Sequence, residues 1–158
     1  MRGVAFALAA AFAFAGTAVA QPADRHEGYY YPKPASHEIY VSRAKVLIDA
    51  SRDRRLEFVN GLVGAQMAAP YPAVYSIFAK GTQADRLIIV ALEGGRLDTA
   101  YRARALLAQL TALARNSPFL KEYGVDNLFT FLDVLRLLGF SRVTVSDGEH
   151  FAHQIDLR

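Results

Sequence analysis

Arg86-Leu87-Ile88-Ile89-Val90-Ala91-Leu92 is followed directly by Glu93-Gly94-Gly95-Arg96-Leu97-Asp98-Thr99, and then by the run Ala100 to Arg115. The first piece is an unbroken apolar stretch of strand length. It reads as a β-strand buried on both faces, and so as the centre of a sheet. The second piece is a glycine turn. In the third, Leu106, Leu110 and Leu113 recur at helical spacing with Ala103 and Leu107 beside them, while Arg104, Thr111 and Arg115 fall opposite. Asp98 or Thr99 can cap this helix. A central strand and the helix that covers it are the unit around which the remaining elements assemble.

Just upstream, Tyr75 to Ala79 is a short β-run joined to Arg86 by the glycine-containing turn 80–85, which predicts an antiparallel hairpin. Earlier still, Phe58, Val59, Leu62, Val63, Gln66 and Met67 share one side of a helix that Asp49 or Ser51 opens and Pro70 and Pro72 end. Gly61, Gly64, Ala65 and Ala68 give that helix a small-residue face, which permits close approach of another backbone. A strand is expected near 39–46. Downstream, Pro118 and Gly124 bracket a short helix. Asp126 caps a further one, with Leu128, Phe131, Leu132, Leu135 and Leu138 on one face and Gly139 as its stop. Val143 and Val145, then Phe151, His153, Ile155 and Leu157, flank the turn Ser146-Asp147-Gly148-Glu149 as a second hairpin. The order β-α-β-β-α-α-α-β-β predicts an α+β two-layer sandwich: a mainly antiparallel sheet of about five strands, with helices on one face.

Residues 1–20 read as a signal peptide. Arg2 is the positive start, 3–16 are almost wholly Ala, Phe, Val and Leu, and Ala18-Val19-Ala20 gives the small-x-small site before Gln21. The mature chain is therefore expected to be periplasmic, with residues 21–37 as an extended Tyr/Pro-rich arm and 38–158 as one domain. Without Arg2 the balance is 17 basic to 15 acidic residues, too even for a nucleic-acid surface. The chain has no cysteine, so bridges, thiolate nucleophiles and Cys-ligated zinc are excluded.

Few residues suggest chemistry. Gly94-Gly95 stands where phosphate loops stand, but Arg96, Leu97 and Asp98 follow it instead of the further glycines or Gly-Lys-Ser/Thr such loops need. His150 and His153 are three apart on a strand, where side chains alternate, so they cannot chelate as helical pairs do. No metal or cofactor is expected, and no catalytic residue is assigned. His153 falls on the apolar side of its strand. Arg102 falls about 40° from Leu106 on the helical wheel, at the margin of the buried stripe, with Asp98 one turn earlier as a partner. These two are the candidate ligand-binding residues, for a small anion or substrate in a cleft between helix and sheet. Tyr29, Tyr30 and Tyr31 are the candidate partner-binding residues. Arg52, Arg54 and Arg55, interleaved with Asp49, Asp53 and Glu57, read as a solvated, salt-bridged first turn.

Gly28-Tyr29-Tyr30-Tyr31-Pro32, Phe78-Ala79-Lys80-Gly81, Tyr101-Arg102-Ala103-Arg104-Ala105-Leu106-Leu107 and Thr144-Val145-Ser146-Asp147-Gly148 resemble a small family of exported bacterial proteins of unknown activity. Its members often bear the label molybdopterin-guanine dinucleotide biosynthesis protein A. That label implies a cytoplasmic guanylyltransferase using GTP and Mg²⁺, with an N-terminal glycine-rich loop bearing an Arg and a Lys. This chain has no such loop, and no catalytic residue carries over. The leading expectation is a non-catalytic module that binds a periplasmic protein or envelope component through the tyrosine arm or an exposed strand edge. An enzyme or small-anion-binding protein with a cleft near Arg102 and His153 is the alternative.

Overall fold

The computed structural model describes residues 31–116, 120–121, 124 and 126–158. The signal-peptide reading, Tyr29, Tyr30 and most of the short helix expected from Pro118 to Gly124 lie outside these residues. The described elements are β1 (Ser36–Tyr40), α1 (Arg52–Ala68), β2 (Tyr75–Lys80), β3 (Arg86–Ala91), α2 (Ala100–Arg115), α3 (Phe131–Leu137), β4 (Arg142–Ser146) and β5 (Ala152–Leu157).

They form an α+β two-layer sandwich on a five-stranded sheet of order β1-β5-β4-β3-β2. Both expected hairpins are present, β2 with β3 and β4 with β5. The ladders joining them, β3 to β4 and β1 to β5, are parallel. The sheet is therefore evenly mixed, not mainly antiparallel. The reason is the connection. The chain leaves β3 through α2 and α3 and returns as β4, and a helical crossover brings the next strand back in the same direction. The middle strand is accordingly β4, while β3 stands second from the edge, still buried on both faces at Leu87, Ile88 and Ile89.

The inward face of the sheet carries Ile77, Leu87, Ile89, Val143, Val145, Ile155 and Leu157, which join Leu106, Leu110, Phe131, Leu135 and Phe140 in one core. The opposite face is covered from the N-terminal side. The Lys80 ammonium lies 5.4 Å from the centre of the Tyr31 ring, and Ala35 donates to the Ala152 carbonyl.

β1 begins at Ser36, inside the arm expected over 21–37; two further boundaries differ from expectation, and one side chain explains both. Buried Asp133 accepts from the Thr130 hydroxyl and N–H, the Ser42 hydroxyl and the Arg43 N–H. Thr130 and Asp133 form a reciprocal capping box that starts α3 at Phe131 instead of Asp126. The same carboxylate captures the chain at Ser42 and Arg43, so the first strand ends at Tyr40 and does not run through 46. Leu128, expected on the inner face of that helix, precedes it and is exposed.

Candidate functional site

The main concavity arises because α1 and α2 attach to different things. α1 packs on β2, at one edge of the sheet, whereas α2 packs on α3. Ser51 caps α1 by accepting from the Arg54 N–H, and Thr99 caps α2 by accepting from the Arg102 N–H, so both helices start as their sequences direct. The expected apolar side of α1 meets the core only in part: Phe58, Leu62 and Val63 pack against it half-buried. Val59 is its one buried apolar residue, and Phe58 is its aromatic anchor, 6.4 Å from the Phe131 ring and 6.3 Å from that of Phe140.

Arg55 adds a polar anchor for α1, and it is buried where a solvated residue was expected. Its guanidinium donates twice to the Gln83 carbonyl and once to the Leu138 carbonyl. A buried cation must be satisfied. Here backbone carbonyls do it, one of them at the C-terminal end of α3, where the helix dipole favours positive charge. Gly139 makes room. It has φ +84°, and a Cβ there would stand 2.8 Å from Arg55 Nη1.

The result is a cleft of about 790 Å³ between α1, β2, the 69–74 connection, α2 and α3. Phe58, Leu62, Tyr75, Ile77, Leu110, Leu113, Leu120, Phe131, Val134 and Leu137 line it. Arg54, Glu57 and Gln66 are its polar members; Gln66 donates to the Tyr75 carbonyl, and burial pushes the Tyr75 hydroxyl pKa up. The volume falls in the range of ligand sites, and an apolar lining with few polar groups is their usual chemistry. Leu113 and Tyr71, which line it, are exposed, and so is Met67, which does not line it. Leu113 and Met67 were expected to face the core, and helical periodicity alone cannot tell an apolar stripe that meets the sheet from one that meets an open cleft.

The sequence-derived candidates lie elsewhere. His153 is buried on the helix side of β5. Its Nδ1 is 2.7 Å from the Ser36 hydroxyl. Its Nε2 is 3.2 Å from Glu38 but off the direction a hydrogen bond needs, so that contact is electrostatic. Glu38 also pairs with Arg104 of α2. Burial pushes the Glu38 carboxyl up, but Arg104 and His153 outweigh it and hold the carboxyl below its ordinary range. Arg102 is exposed, and pairs with Asp98 at 2.9 Å and with the Gly95 carbonyl. Arg102 and His153 share no partner, and neither lines the cleft. Tyr31 is half-buried beneath Lys80. Among the described residues, no cluster of His, Asp and Glu could hold a metal ion, and no helix is long and apolar enough to cross a membrane.

Comparison of the chain with protein-family models, curated proteins and solved structures finds no match.

Proposed function

We propose that this chain is an exported, non-catalytic module that docks an apolar helical segment of a partner protein between α1 and α2. The observation that carries the reading is the apolar cleft. A helix laid in a groove buries apolar residues at i, i+3, i+4 and i+7, and this groove offers apolar walls from two helices and a floor from β2 and α3. The outer wall adds support. Of the small residues at helical spacing along α1, Ala65 lines the cleft while Gly61, Gly64 and Ala68 lie outside its lining, and nothing stands within 4 Å of a Cβ added at either glycine. Glycine inside a helix costs about 1 kcal/mol against alanine. No contact within the described fold calls for that cost, whereas close approach of a partner helix would. Export is supported by the signal-like N-terminus, and the partner of an exported chain would be periplasmic.

The test uses residues 21–158 as bait in periplasmic extract, beside the Ala65→Trp variant. Ala65 is exposed and lines the cleft, so the indole fills the groove without entering the core. The expected result is a retained partner that Ala65→Trp releases at unchanged melting temperature. A bait that returns alone and monomeric, or a partner held equally by both forms, overturns the reading.

A further inference from the structure

The two edges of the sheet are β1 and β2. α1 packs on β2, whereas no strand among the described residues pairs with the outer side of β1. Arg158 donates to the Tyr40 carbonyl and Ser42 donates to the Arg158 carbonyl, so the even-numbered residues of β1 face β5. By alternation the N–H and C=O of His37, Ile39 and Val41 point away from the sheet, and they carry no hydrogen bond among the described residues. Ile39 is 47% exposed and Val41 76%. Strand edges are usually blunted by proline, lysine or a bulge. The segment from His37 to Val41 carries neither proline nor lysine. Just past it stand Arg43 and Lys45, both exposed and in no ion pair among the described residues.

From this edge we infer that β1 accepts an extended peptide segment of a partner protein as a sixth strand, with apolar residues at alternate positions and acidic residues at the end that passes Tyr40. Backbone pairing to His37, Ile39 and Val41 requires a polypeptide. The alternate apolar residues lie beside Ile39 and Val41 on the face away from the helices. The acidic end meets Arg43 and Lys45, which are in no ion pair among the described residues. This inference rests on the reading of the chain as a protein-binding module, but uses the edge opposite the cleft.

The probe is the synthetic peptide acetyl-Val-Thr-Val-Thr-Asp-Glu-amide, titrated into ¹⁵N-labelled residues 21–158. Its twin is N-methylated at alternate residues, which removes donors and keeps side chains. Expected are slowed amide exchange at His37, Ile39 and Val41, and a loss of about tenfold or more in affinity for the twin. Ile39→Pro removes one outward N–H and leaves the β5 ladder intact, so it should abolish binding, while Ile39→Ala, which keeps the N–H, should retain most of it. Arg43→Glu with Lys45→Glu should weaken binding about tenfold. Equal binding of the twin, no shift at millimolar peptide, or equal binding by Ile39→Pro overturns the inference. Protection at Leu62 and Leu113 in place of β1 also overturns it, yet leaves the cleft reading standing. Failure of Ala65→Trp to release a partner strikes the cleft alone.

Discussion

α3 and α1 lie over the same sheet and are packed in opposite ways. Every residue from Phe131 to Leu135 is buried, whereas only Arg55 and Val59 are buried among the 17 residues of α1. α3 is short and fastened at its start by a capping box. α1 is long, capped at Ser51, and held by buried Val59, by Phe58, Leu62 and Val63 packed half-buried against the core, and by one guanidinium. The stability of the domain is therefore concentrated on the α3 side, and the exposed faces of α1 are free to answer to something other than the fold.

The sharpest way to break that contrast is a matched pair of leucine truncations. Leu135 is fully buried in α3, and Leu113 of α2 is 66% exposed at the cleft. Leu135→Ala should cost about 3 kcal/mol, since a buried methylene cluster is lost and a cavity is left. Leu113→Ala should cost less than about 0.5 kcal/mol. Urea denaturation measures both. Equal losses would mean that the cleft wall is part of the core.

Asp133 comes next. It accepts from five donors in the α3 cap, the end of β1 and the chain just after it, including the Tyr40 hydroxyl at 3.1 Å. Asp133→Asn puts an amide donor among donors and should cost about 2–3 kcal/mol. Burial pushes this carboxyl up, but the Thr130 and Arg43 amides and the Ser42 and Thr130 hydroxyls outweigh it and hold it below its ordinary range. A depressed carboxyl binds protons more weakly in the folded state. Its contribution is therefore complete above the unfolded value of about 3.9 and is lost as pH falls through the folded value. Stability against pH should decline more gently below pH about 4 in Asp133→Asn than in the parent. Parallel acid limbs would show that other carboxylates, such as Glu38 or Asp156, set the decline.

Arg55 tests the other side. Arg55→Met keeps much of the stem and leaves the Gln83 and Leu138 carbonyls without their donor. A loss of about 2 kcal/mol is expected, together with faster amide exchange throughout α1 and little change in α3. Exchange that rises equally in both helices would show that α1 and α3 open as one unit.

The contrast also explains which parts of the fold could be read in advance. Both hairpins, the ends of α1 and α2 and the Gly139 stop follow from local chemistry: alternation, caps and proline. The parallel ladders, β4 as the middle strand and the end of β1 at Tyr40 depend on pairings between residues far apart in sequence. Asp133, for example, is 91 residues from Ser42. Arg55 looked solvated because its neighbours are charged, and its acceptors lie 28 and 83 residues away. His153 was legible as a buried histidine, and Asp98 as the partner of Arg102. The cleft was not legible, because a groove is defined by the residues that fail to meet across it.

The smallest expected effect bears most directly on what α1 is for. Gly61 and Gly64 are exposed in the middle of the helix, with open space around any added Cβ. Gly61→Ala with Gly64→Ala should therefore stabilise the domain, by about 0.8–1 kcal/mol per site at most, read as a higher melting temperature. If close approach of a partner helix is the reason for the glycines, the same double variant should hold its partner less well, because two methyl groups then stand on the open face of α1 beside the cleft. A variant that is both more stable and equally competent would remove the glycines from the functional argument and leave the apolar cleft to carry it alone. A variant that is no more stable would place an unseen contact against α1, and with it the premise that this face is open.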